Sequence, residues 1–115
     1  MTRKPTILIL GAEGLLGAEL VECLTCSDIY HVIGLTHTQA DITEEKTLLR
    51  SFSRYTPSII INCAALINVD YCEAHPFEAW KSNAFGPGAI LHVIRTLGLP
   101  ASLIHLSSAY IFGND

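Results

Sequence analysis

The chain is expected to be an α/β protein, a Rossmann-like doubly wound parallel sheet, and three observations carry that expectation. Short apolar runs that suit buried strands alternate along its whole length with amphipathic stretches long enough for helices. The first run, Ile7-Leu8-Ile9-Leu10, leads straight into Gly11-Ala12-Glu13-Gly14-Leu15-Leu16-Gly17, a glycine-rich turn opening a helix. Half of the 115 residues are hydrophobic and 16% are charged, which excludes disorder and suits a sheet covered on both faces.

The elements follow in order. Thr6 to Leu10 reads as a strand, and Leu15 to about Thr25 as a helix with Leu16, Leu20 and Leu24 on one face. A second strand runs from Tyr30 to Leu35, and a short or vestigial third lies near Thr38 to Asp41. Asp41 or Thr43 can cap the helix Glu44 to Tyr55, whose Leu48, Leu49 and Phe52 form a core stripe before Pro57 stops it. Ser58 to Cys63 is the fourth strand. Helical turns then lead from Val69 through Trp80 and Asn83 to Leu97, Gly98 ends them, and Ser102 to Leu106 is the last strand. Right-handed crossovers give the strand order 3-2-1-4-5.

In the glycine turn, Gly11 permits the sharp bend, Gly14 lets backbone approach a pyrophosphate, and Gly17 lets helix pack on strand. The spacing G-x-x-G-x-x-G has a first gap one residue longer than the usual dinucleotide fingerprint, so the strand before it and the helix after it supply its specificity. Ligands of doubly wound sheets bind at the carboxyl ends of the strands. The residues there are the glycine turn, Thr36-His37, Asp41-Ile42, Ala64-Ala65 and Ser107-Ser108-Ala109-Tyr110. All can line one groove. Neither an acid nor an arginine follows the second strand, so Thr36 and His37 leave the choice between NAD and NADP open, leaning slightly toward NADP.

Other classes are disfavoured. A net charge of −4 without a basic cluster beyond Arg3-Lys4 argues against a nucleic-acid or anionic-membrane surface. No apolar run has membrane-spanning length and no signal peptide opens the chain, so a cytoplasmic location is expected. Cys23-x-x-Cys26 lacks a second close pair, because Cys63 and Cys72 stand apart, and the five histidines show no i, i+4 pairing. No metal site is expected. Cys63 reads as a small core residue, His105 as a buried strand residue, and Asn62 and Asn83 as ties between loops.

Taken together, Gly11-x-x-Gly14-Leu-Leu-Gly17, Asp41-Ile42-Thr43, Asn62-Cys63-Ala64-Ala65, Val69-Asp70-x-Cys72-Glu73, Asn83-Ala-x-Gly86-Pro87 and Ser107-Ser108-x-Tyr110-x-Phe112-Gly113 resemble, in order, the front half of dTDP-4-dehydrorhamnose reductases, which are extended short-chain dehydrogenase/reductases. The resemblance covers nearly the whole chain. It implies reduction of the keto group of a nucleotide-activated deoxysugar by NADPH or NADH, with a nucleotide-sugar as substrate and a homodimer of the complete protein left open. It also implies roles. Gly11, Gly14, Leu15, Leu16 and Gly17 hold the pyrophosphate, Asp41 and Ile42 sit at the adenine, and Ala64 and Ala65 flank the adenosine. Ser108 takes the place of the catalytic Ser/Thr that hydrogen-bonds the substrate carbonyl, and Tyr110 contacts the sugar.

Departures accompany these matches. Leu10 stands where relatives often carry Thr, and Ala109 where reductases commonly carry Asp. The family's Tyr-x-x-x-Lys, the proton donor and the lysine that lowers its pKa, has no counterpart: none of Tyr30, Tyr55, Tyr71 and Tyr110 has a lysine four residues on. Residues 1–115 are therefore expected to be an incomplete NAD(P)-binding domain, truncated before the later strands and the substrate lobe and inactive alone. Its exposed last strand should leave it marginally stable. The alternatives are a noncatalytic NAD(P)-binding regulatory subunit, as in methionine adenosyltransferase, and another extended family enzyme such as a sugar-nucleotide epimerase or dehydratase.

Overall fold

A computed structural model describes residues 4–64, 73–80 and 86–106. Four strands, β1 (Thr6–Leu10), β2 (His31–Leu35), β3 (Ile59–Asn62) and β4 (Ser102–His105), form one parallel sheet in the order β2-β1-β3-β4. The helices are α1 (Leu15–Ser27), α2 (Glu45–Tyr55), α3 (Pro76–Trp80) and α4 (Gly86–Leu97). The expected 2-1-4-5 portion of the sheet is thus observed.

The alternation of side chains along a strand divides the core in two. Leu8 and Leu10 of β1, Leu35 of β2 and Ile60 of β3 meet Leu48 and Phe52 of α2 and Ile90, Val93 and Ile94 of α4 on one face. Ile7, Ile9 and Ile61 point to the other face, where Leu20, Val21 and Leu24 of α1 cover them. Gly34 faces α1 as well: a Cβ there would stand 2.8 Å from Ala12 Cβ and 2.9 Å from Val21 Cγ2. Burial on both faces explains why β1 and β3 read as continuous apolar runs instead of alternating ones.

Three expectations are corrected. No third strand forms near Thr38 to Asp41, because the chain curls: the Gln39 and Ala40 N–H groups donate to Thr36 O (3.0 and 2.9 Å), and the Thr36 N–H donates to Gln39 Oε1. Leu16 does not face the core with Leu20 and Leu24 but is 52% exposed, because the first turn of α1 buries Gly17 against Gly11 instead. Neither Asp41 nor Thr43 caps α2, whose N-cap is Glu44. The Asp41 carboxylate instead accepts from the Thr43 N–H and hydroxyl, 2.9 and 2.6 Å away, closing a local Asx turn.

Within the proposed run from Val69 to Leu97, Glu73 and Ala74 are helical, α3 and α4 follow, and 65–72 and 81–85 lie outside the described residues. Pro76 begins α3 directly after the non-helical His75, as the restriction on a residue preceding proline requires. Gly98 ends α4 at φ +64°, its N–H bonded to Arg95 O. Among the described residues no helix is long and apolar enough to cross a membrane.

Candidate functional site

The order β2-β1-β3-β4 means that the chain winds one way from β1 to β2, then returns across β1 to β3. The carboxyl ends of β1 and β3 are therefore the topological switch point, where such sheets open a crevice. Two segments meet there. A Cβ at Gly11 would fall 2.8 Å from Cys63 O and 2.9 Å from Ala64 Cα, and Gly11 has φ +76°, so only glycine fits. The turn is pinned to β2 as well, since the Gly11 and Ala12 N–H groups both donate to Leu35 O at 3.1 and 3.0 Å.

Gly14 and Gly17 differ in what they answer to. A Cβ at Gly17 would stand 2.2 Å from Gly11 O, so the fold itself demands glycine where α1 crosses the turn. Gly14 has φ −77° and ψ 168°, a conformation open to any residue, and a Cβ there would meet only Gly11 O at 3.4 Å. Nothing among the described residues requires its bare backbone. Gly14 is also the N-cap of α1 and provides no side-chain cap, so among the described residues no side chain caps the first-turn amides at Leu15, Leu16 and Gly17. The site is a backbone cradle at a helix N-terminus, open toward solvent, with Leu15 88% exposed beside it.

After β2, the Glu13 carboxylate accepts from the His37 N–H at 2.6 Å, and His37 Nε2 lies 3.5 Å from Asp41 Oδ2. The Asp41 segment is fastened to α2: the Asp41 N–H donates to Thr47 Oγ1 at 2.8 Å and Ser51 Oγ donates to Gln39 O at 2.8 Å. Ile42 is only 4% exposed and packs in the core beneath Gly86, so in this conformation it offers a ligand its main chain.

After β3, buried Asn62 accepts from the Ala64 N–H at 3.1 Å through Oδ1, which sets its amide, and its Nδ2 reaches His105 Nδ1 at 3.1 Å. An amide nitrogen only donates, so His105 Nδ1 is the acceptor. Asn62 thus ties the β3 loop as expected and also links β3 to β4. His105 is half-buried, less than expected. Cys63 packs against the α1-side core, and burial raises its thiol above the ordinary value of 9.0.

Of the residues assigned from the sequence, Gly11, Gly14, Leu15, Leu16 and Gly17 form one turn, Ala64 lies against it, and Asp41 and Ile42 follow β2. Ala65, Ser108, Tyr110 and Asn83 lie outside the described residues. Sequence reasoning overlooked Glu13. The signal for it was an acid inside the glycine turn of a chain whose second strand ends without one.

A family model described as RmlD substrate binding domain matches residues 5–115. The chain is 35% identical over 106 residues to the spore coat polysaccharide biosynthesis protein SpsK of Bacillus subtilis, covering 92% of this chain and 36% of that protein. It is 36% identical over 107 residues to the dTDP-4-dehydrorhamnose reductase of Mycolicibacterium smegmatis, covering 93% of this chain and 31% of the relative. Among solved structures, the dTDP-4-dehydrorhamnose reductase of Bacillus anthracis in complex with NADP superposes with a TM-score of 0.87 at 30% identity, covering all of this chain and 40% of that one. A UDP-glucose 4-epimerase of Stenotrophomonas maltophila with bound NAD shares the fold at a TM-score of 0.82 and 20% identity, over 96% of this chain and 39% of its own. The chain spans about a third of the length of the curated relatives it matches.

Proposed function

Because the chain belongs to the RmlD substrate binding domain family, we propose that it is the dinucleotide-holding part of an NAD(P)H-dependent reductase acting on a nucleotide-activated 4-keto-6-deoxysugar. The observation that carries this reading is Gly14: no neighbouring atom of the described residues calls for a glycine there, yet its missing side chain keeps the first-turn amides of α1 open. A pyrophosphate fits that cradle, since it is an anion that accepts from backbone N–H groups at the positive end of a helix dipole.

The bound dinucleotide supplies the hydride. The chain's own residues hold and orient. Leu15, Leu16 and Gly17 donate their amides to the pyrophosphate, Gly11 and Gly14 let it approach, and Ala64 and Ala65 flank the adenosine. Asp41 and the Ile42 main chain lie at the adenine. Ser108 donates its hydroxyl to the substrate carbonyl oxygen, where charge develops, and Tyr110 contacts the sugar. A serine hydroxyl of ordinary acidity polarises but does not protonate, and no tyrosine here has a lysine four residues on, so this segment alone reduces nothing.

The test is titration of NADH and NADPH against the whole protein and its Gly14→Val variant. Valine tolerates the Gly14 backbone angles, and its Cβ would meet only Gly11 O, at 3.4 Å, among the described residues, so the variant should fold. Its affinity should drop about tenfold or more, the weight of at least one lost charge-assisted hydrogen bond. Equal affinity in both proteins refutes the site.

A further inference from the structure

We propose that Glu13 sets the coenzyme preference of this site, its carboxylate accepting from the adenosine ribose and disfavouring a 2′-phosphate, so that NADH binds more tightly than NADPH. The inference rests on the dinucleotide reading above and adds to it a residue and a choice.

In doubly wound folds the ribose hydroxyls are met at the end of the second strand, where an acid selects the unphosphorylated ribose and an arginine accommodates the phosphate. The positions after β2 here, Thr36 and His37, provide neither. The structure places a carboxylate there from another direction. Ala12 is tied to the last residue of β2 through Leu35 O, and this directs the next side chain, Glu13, across the strand end to the His37 N–H at 2.6 Å. That bond engages Oε2 alone. A carboxylate accepts at about four lone-pair positions, and no other partner of Glu13 exists among the described residues, so the exposed Oε1 remains free to accept from a hydroxyl.

The surrounding charge points the same way. Asp41 Oδ2 lies 3.5 Å from His37 Nε2, so His37 stands between two carboxylates, and no lysine or arginine pairs with either of them among the described residues. A hydroxyl arriving at this strand end finds an acceptor. A phosphate dianion finds a like charge and, among the described residues, no guanidinium, and it could use the His37 N–H only after displacing Glu13.

The experiment measures dissociation constants of NADH and NADPH for the whole protein and for Glu13→Gln and Glu13→Ala, by quenching or enhancement of nicotinamide fluorescence. Glutamine keeps an oxygen to accept from the His37 N–H and loses only the charge, so a purely structural Glu13 would leave the ratio of the two constants unmoved in that variant. The expected result is an NADH preference of about tenfold in the parent, the size of one charge-assisted hydrogen bond. Glu13→Gln should reduce it by about the same factor, chiefly through tighter NADPH binding. A parent that prefers NADPH, or a ratio unchanged in both variants, overturns the assignment of Glu13 while leaving the dinucleotide site standing. Binding of neither coenzyme to the parent overturns the dinucleotide reading itself, and this inference with it.

Discussion

Replacing Gly17 by alanine adds one carbon at the tightest point of the fold. That Cβ would lie 2.2 Å from Gly11 O, 2.9 Å from Gly11 C and 3.0 Å from Ala12 Cα, all backbone atoms. Carbon contacts are optimal near 3.5–4.0 Å, so the first turn of α1 must retreat by about 1 Å or the Gly11 turn must open. The turn is poorly placed to yield. Two hydrogen bonds to Leu35 O hold it against β2, and Gly11 already abuts Cys63 O and Ala64. Overpacking of this kind costs about 1–3 kcal/mol. Alanine recovers up to about 1 kcal/mol over glycine within a helix, less in the first turn, where fewer helical bonds depend on the residue. The net loss should be about 1–2 kcal/mol, read as a lower urea midpoint at unchanged slope in circular dichroism of the whole protein without coenzyme. A variant as stable as the parent would show that α1 does not bear on the turn as described, and the distinction between a packing glycine at 17 and a ligand glycine at 14 would lose its basis.

Three further outcomes are expected. Burial holds the Cys63 thiol neutral, so near pH 8 iodoacetamide should label exposed Cys23 and Cys26 well before Cys63, as followed by peptide mass spectrometry. Because the folded pKa lies above the unfolded one, this contribution to stability is complete below about pH 9 and is lost as pH rises beyond it; the urea midpoint of the parent should therefore fall toward that of Cys63→Ala above pH 9, and parallel midpoints would refute it. In the whole protein, Ser108→Ala should lower kcat by ~10²–10³-fold with little change in KM, measured as NADPH or NADH oxidation with a dTDP-4-keto-6-deoxysugar; full activity would refute the role proposed for Ser108.

By itself the sequence determined the class of fold, because the forces that specify it are local and periodic. Ile7 to Leu10 and Ile59 to Ile61 are apolar without interruption, as strands covered on both faces must be, and Leu48 and Phe52 repeat at helical spacing. The glycine turn was legible for the same reason: Gly11 and Gly17 answer to backbone crowding between adjacent elements. Tertiary structure decided what depends on residues distant in the chain. The Thr38 to Asp41 segment could have extended, but hydrogen bonds to Thr36 curl it and Ser51 of α2 holds it curled. Apolar character alone put Leu16 on the buried face, whereas its exposure follows from the packing of Gly17, not Leu16, against the Gly11 turn. The acid in the glycine turn was visible in the sequence but its partner was not, since Glu13 and His37, 24 positions apart, come into contact only when β1 and β2 pair and Leu35 O anchors the turn. A carboxylate's place in a site is set by the strand end it reaches, and sheet pairing, not spacing along the chain, brings that strand end within reach.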